Sequence, residues 1–137
     1  MKQEQTNYIN LTKEKFVNVL HNALCNGLHY FSSYGLYLDY QEDDYNIAKE
    51  ELKKQDLEYT ICQEDVWIKM LEMKLPFNLI DEEYEGEYNA SLDLDEMYSN
   101  LQFVPQNAIH NILEEVDDAI DCDAFLQAVI YKEVIFC

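Results

Sequence analysis

The sequence predicts an α+β protein: five or six short helices packed with a small, mainly antiparallel sheet of three or four strands. Three observations carry this. Apolar residues recur at three- and four-residue intervals in several stretches, they alternate with period two in others, and the two patterns do not interleave as regular βαβ units. The 137 residues are 48% hydrophobic and 13% aromatic, with only 3 Gly and 2 Pro, which suits one ordinary core and no disordered tail. We expect a flexible N-terminal segment at residues 1–10 and a single compact domain at 11–137.

The elements follow in order. Phe16, Leu20, Ala23, Leu24 and Gly27 share one helical face, with Thr12 placed to cap it and Gly27 placed to end it. The stretch from Tyr34 to Tyr40 is aromatic and alternating, as in a strand. Glu42, Asp43 and Asp44 supply negative charge at the start of a helix marked by Tyr45, Ala48 and Leu52, where the helix dipole favours it. Val66, Trp67, Met70, Leu71 and Met73 form a broad stripe over Gln63 to Met73. Leu75, Phe77 and Leu79, then Tyr88, Ala90, Leu92 and Leu94, alternate on either side of an acidic turn containing Gly86, which reads as a hairpin. Asp93 and Glu96 have capping-box spacing, and Pro105 opens a helix with Ile109, Ile112, Leu113 and Val116 on one side. A last helix carries Ile120, Ala124, Phe125 and Ala128. The terminal run Val129 to Cys137 is rich in β-formers, so its end is expected to dock in the sheet or on a partner.

Charge is the most informative feature. There are 28 Asp and Glu against 9 Lys and no Arg, a formal net charge of -19. Residues 1–38 carry a net +1, so residues 39–137 carry -20. A surface of this sign is repelled by phosphate backbones and anionic lipid, which excludes direct nucleic-acid binding. The acid is clustered at Glu42-Asp43-Asp44, at Asp81-Glu82-Glu83-Tyr84-Glu85-Gly86-Glu87, and at Glu114-Glu115-Val116-Asp117-Asp118. Like charges in blocks weaken the compact state, and solubility needs a net charge of only about 2 to 8. Either they form a solvated acidic surface or they imitate the phosphates of a nucleic acid, which present roughly one charge per 1.7 Å of duplex axis. Tyr84 and Tyr88 lie beside the acids and suit the role of apolar, hydrogen-bonding anchors.

Recognisable chemistry is absent from local motifs. The segment Asp117 to Asp123 lacks the Gly and Glu of a calcium loop, and its aspartates read as helix caps. His21, His29 and His110 fall in no catalytic signature, and His21 and His29 read as structural histidines. Cys25, Cys62, Cys122 and Cys137 are scattered and read as reduced, buried hydrophobes. The three glycines form no phosphate-cradling loop. The expectation is a non-enzymatic protein with no cofactor and no metal. No basic stretch and apolar run mark a leader, and no run reaches the ~20 apolar residues of a membrane span, so a cytoplasmic location is expected.

The stretches Gly27 to Leu36, Glu64-Asp65-Val66-Trp67 and Ile130 to Phe136 resemble those of small, acidic, uncharacterised proteins of bacteriophages and mobile elements. The resemblance spans most of the chain and assigns no residue a role. It implies inhibition of a bacterial defence effector inside the host cell, in the manner of anti-CRISPR and anti-restriction DNA mimics. The expected partner is a basic nucleic-acid-binding protein or complex. It would be held by Glu42, Asp43, Asp44, Asp81, Glu82, Glu83, Glu85, Glu87, Glu114, Glu115, Asp117 and Asp118, with Tyr84 and Tyr88 as anchors. The alternative is an adaptor or homo-oligomer assembling through Val134, Ile135 and Phe136.

Overall fold

The computed structural model of the chain describes residues 11–55 and 59–137; the segment expected to be flexible, residues 1–10, lies outside the described residues. The architecture is α+β, with seven helices and a three-stranded antiparallel sheet among the described residues. In chain order these are α1 (Lys13–Gly27), α2 (His29–Ser33), β1 (Leu36–Asp39), α3 (Glu42–Lys53), α4 (Gln63–Glu72), β2 (Asn78–Asp81), β3 (Ala90–Ser91), α5 (Leu94–Ser99), a 3-10 turn (Asn100–Phe103), α6 (Gln106–Leu113) and α7 (Ala119–Tyr131). The five-residue α2 is the helix that periodicity misses, being too short to show a repeat.

Local signals place most boundaries. The Thr12 hydroxyl accepts from the Lys15 amide, and Asp93 accepts from the Glu96 amide. Asp118 and Asp121 form a reciprocal capping box at the start of α7. The hairpin forms with Leu79 opposite Ala90 but is shorter than its alternation suggests, since Leu75, Phe77, Tyr88 and Leu92 fall outside the strands and Leu94 opens α5. Strand β1 joins its other edge with Leu36 opposite Asp81 and Asp39 opposite Asn78. Gly35 enters β1 at φ +83° and Gly86 turns the acidic loop at φ +84°, both in the left-handed region that glycine adopts without strain.

The core is one cluster centred on α7, where Phe125, Leu126, Gln127, Ala128 and Val129 are buried in succession on all sides. Phe16 and Leu20 of α1, Val66 and Met70 of α4, and Ile109 of α6 surround it. Helix α1 ends at Gly27 as expected, but without the left-handed turn of a glycine cap. Gly27 lies where α1 crosses α7, and a Cβ there would fall 2.7 Å from the Asp123 nitrogen and from the Cys122 carbonyl carbon. Its absent side chain sets the distance between the two helices.

The chain end also differs from expectation. Residues Val129 to Tyr131 complete α7, and the tail beyond Lys132 forms no strand. The α7 ladder, once capped at Asp118, satisfies these backbone groups, and the tail folds back on the helix. Gln127 Oε1 accepts from the amides of Ile135 and Phe136, each at 2.8 Å, and Gln127 Nε2 donates to the Phe136 carbonyl at 3.1 Å. The Phe136 ring stacks on Tyr34 at 4.7 Å and meets Tyr88 edge-on at 5.1 Å.

Asp123, expected as a surface cap, is buried beneath this tail. One oxygen accepts from Tyr34 at 2.7 Å and from Gln127 at 3.0 Å, while the other has no partner. Burial pushes its carboxyl above the usual range, against those two hydrogen bonds and the more distant His29. A carboxyl raised in the fold contributes stability below its unfolded pKa of about 3.9, and that contribution is lost as pH rises through the folded value. Wild type should therefore lose stability relative to Asp123→Asn as pH rises above about 4. Urea denaturation of both proteins across that range checks the sign.

Candidate functional site

The three acidic clusters sit on different elements. Glu42, Asp43 and Asp44 form the first turn of α3, just beyond the Asp39 end of β1. The loop 82–88 leaves the opposite end of the sheet, since Asp81 pairs with Leu36. The third cluster joins α6 to α7, and α7 separates it from the 82–88 loop by roughly 20 Å of helix at 1.5 Å per residue. The far end of α7 holds that loop through Tyr131, whose hydroxyl donates to the Tyr88 carbonyl at 2.7 Å.

Among the described residues no lysine lies within salt-bridge distance of these clusters, although Lys15 lines the groove beside Glu115, Asp117 and Asp118. Among the described residues the lysine pairs are Lys13 and Lys74 with Asp95, Lys74 with Asp93, Lys53 with Glu50, and Lys54 with Glu51. Glu42, Asp43, Glu82, Glu83, Glu85, Glu87, Glu114, Glu115 and Asp118 are exposed, and Asp44 and Asp117 are half-buried. The third cluster borders a groove of about 660 Å³ that Asn18, Asn22 and Asn26 of α1 line on the other side.

Two of the proposed contact residues do other work. Asp81 is buried, and its carboxylate accepts from the amides of Glu83, Tyr84 and Tyr88 at 2.7 to 3.1 Å. Burial acts to raise its carboxyl, but those three amides hold it below the usual range. It shapes the acidic loop from within and is not part of the exposed surface. Tyr88 is half-buried against Phe136 and Tyr131, whereas Tyr84 is 46% exposed. Val116 and Ile120, expected on apolar helix faces, instead stand out beside the third cluster at 68% and 65% exposure. Helix α6 ends at Leu113 and Glu115 turns the chain at φ 60°, which carries Val116 off that face.

A second constellation was invisible to spacing. His21 on α1 faces the N-terminus of α4, where Cys62 is the N-cap and Asp65 the third helical residue. Asp65 Oδ1 lies 2.8 Å from His21 Nε2, and Oδ2 accepts from the Cys62 amide at 2.9 Å and from its thiol at 3.2 Å. The imidazole nitrogen, thiol sulfur and carboxylate oxygen all fall within 4.8 Å of one another. One turn along α1, Cys25 Sγ approaches His21 Nδ1 at 3.8 Å. The cluster opens on a groove of about 510 Å³. The cysteines depart from expectation here: Cys25, Cys62 and Cys137 are exposed, and Cys122 alone is buried.

The line Cys25, His21, Asp65 has the order of a nucleophile, base and orienting acid. Its electrostatics oppose that use. Burial and the nearby Glu64, Cys62 and Asp65 push the Cys25 thiol up to about 11, so little thiolate forms at neutral pH. Burial likewise acts to raise Asp65, but the Cys62 amide and thiol and His21 outweigh it and hold the carboxyl below its ordinary value. His29 stacks on Tyr30 and His110 is exposed, so neither joins the cluster.

No family model, curated protein or solved structure matches the chain. Among the described residues, no helix is long and apolar enough to cross a membrane.

Proposed function

We propose that the protein is an acidic inhibitor that binds a basic, nucleic-acid-handling protein, such as a bacterial defence effector, in place of its nucleic acid. The observation that supports this reading is the set of three exposed carboxylate clusters with no lysine within salt-bridge distance among the described residues. Arginine is absent, so no bidentate pair can quench the field, and it extends to a partner within about a Debye length of 8 to 10 Å. Such a field accelerates encounter, and Tyr84, Val116 and Ile120 supply apolar area beside it. Assembly through the tail is less favoured, because Phe136 is already packed against Tyr34, Tyr84 and Tyr88.

The test is capture from a bacterial lysate by the tagged protein, eluted with salt or with competing duplex DNA. Recovery of a basic nucleic-acid-binding protein released by either agent supports the reading. A salt-resistant partner indifferent to DNA overturns it. With the captured partner, changing Glu82, Glu83, Glu85 and Glu87 to Gln should slow association by about 10-fold or more at low salt and flatten its salt dependence. Asp81 is left unchanged, so the loop keeps its internal hydrogen bonds.

A further inference from the structure

We propose that His21 Nε2, Cys62 Sγ and a carboxylate oxygen of Asp65 bind one zinc-class divalent cation, with a fourth coordination position open to the groove. The three donors are an imidazole, a thiol and a carboxylate, the set that tetrahedral zinc takes at bond lengths of about 2.0 to 2.3 Å. Those lengths put neighbouring ligand atoms about 3.3 to 3.8 Å apart. His21 Nε2 lies 2.8 Å from Asp65 Oδ1 and Cys62 Sγ lies 3.2 Å from Asp65 Oδ2, with the imidazole nitrogen, the sulfur and one carboxylate oxygen all within 4.8 Å. Turning the carboxylate and drawing the imidazole and thiol together closes the set on one ion.

The positions are set by structure independent of any ion. Cys62 and Asp65 are brought together by the cap of α4, and α1 packs on α4 so that His21 reaches them across the seam. Without an ion, His21 and Cys62 both direct hydrogens at one carboxylate. A dication replaces those two hydrogens. The thiol proton leaves to solvent as the sulfur–metal bond forms, and the imidazole proton moves to Nδ1. There it faces Cys25 Sγ at 3.8 Å, a weak acceptor in the place where a metal-binding histidine takes an outer partner.

A bound metal deprotonates its thiol outright, so the Cys62 sulfur would bind as thiolate. Hard cations fit poorly, since Mg2+ and Ca2+ ask for six or more oxygen ligands and this cluster offers one carboxylate.

The experiment uses the full-length, reduced, metal-free protein in physiological salt with excess Mg2+ to occupy the acidic surface. Zn2+ is titrated in competition with a chromophoric chelator, and Co2+ is titrated in parallel for its thiolate charge-transfer absorption. One ion per chain is expected, with the cobalt absorption of a single thiolate. Cys62→Ser and His21→Ala should each weaken Zn2+ by at least about 100-fold, more than loss of an outer partner costs, and Cys62→Ser should abolish the charge-transfer absorption. Serine is itself a good N-cap, so Cys62→Ser keeps the fold, which circular dichroism verifies. Cys137→Ser should behave as wild type. Absence of one-to-one binding against Mg2+, undiminished binding by Cys62→Ser, or an absorption lost with Cys25→Ser but kept in Cys62→Ser would each overturn the site.

Discussion

Gly27→Ala should lower stability by about 2 kcal/mol or more, although helix propensity alone would raise it by about 1 kcal/mol. The added Cβ would sit 2.7 Å from the Asp123 nitrogen, the Cys122 carbonyl carbon and the Cys122 Cβ. Two of these are backbone atoms of α7, which cannot swing aside as a side-chain tip would. Relief requires α1 and α7 to separate, and this is the most extensive helix pairing among the described residues. Separation opens gaps around Phe16, Leu20 and Phe125, each buried between the two helices and their neighbours. Urea or thermal denaturation gives the sign directly. An alanine variant as stable as wild type would show that the helices do not meet this closely. Valine, larger and β-branched, should cost more than alanine.

Gln127→Ala should destabilise by about 2 to 4 kcal/mol and release the tail. The side chain is fully buried, accepts from the Ile135 and Phe136 amides, and donates to the Phe136 carbonyl and the Asp123 carboxylate. Each bond contributes a net ~1 kcal/mol, and some of that sum is returned as the freed tail regains conformational entropy. The loss does not stop at the tail. Asp123 would keep only Tyr34 as a partner, and the face that Phe136 offers to Tyr84 and Tyr88 would open, loosening the acidic loop. Hydrogen exchange at Ile135 and Phe136 should accelerate far more than at the α7 core, a pattern that separates tail release from general loosening. A loss below 1 kcal/mol with unchanged exchange there would show that Gln127 does not anchor the tail.

Helix caps and stripes were readable because they are relations between residues three or four apart. Thr12, Asp93 and Asp118 act as caps, and the hairpin pairs in the register its alternation implies. Where reading failed, residue type had two possible uses and only packing chose between them. A glycine near a helix end suits a left-handed cap, yet Gly27 serves a helix crossing. An aspartate in an acidic run suits the surface, yet Asp81 and Asp123 point inward to amides and hydroxyls. A β-rich chain end suits a strand, yet a capped helix claimed its first residues.

The sequence by itself determined the α+β class, most helix starts and the size and regional bias of the negative charge, because composition is additive and capping is local. Tertiary structure alone decided that the 82–88 loop lies apart from the other two acidic clusters and that His21 meets Cys62 and Asp65. His21 is more than 40 positions from the other two, and no local periodicity relates it to them. Their meeting depends on how α1 packs against α4, a choice made by the whole core rather than by any segment within it.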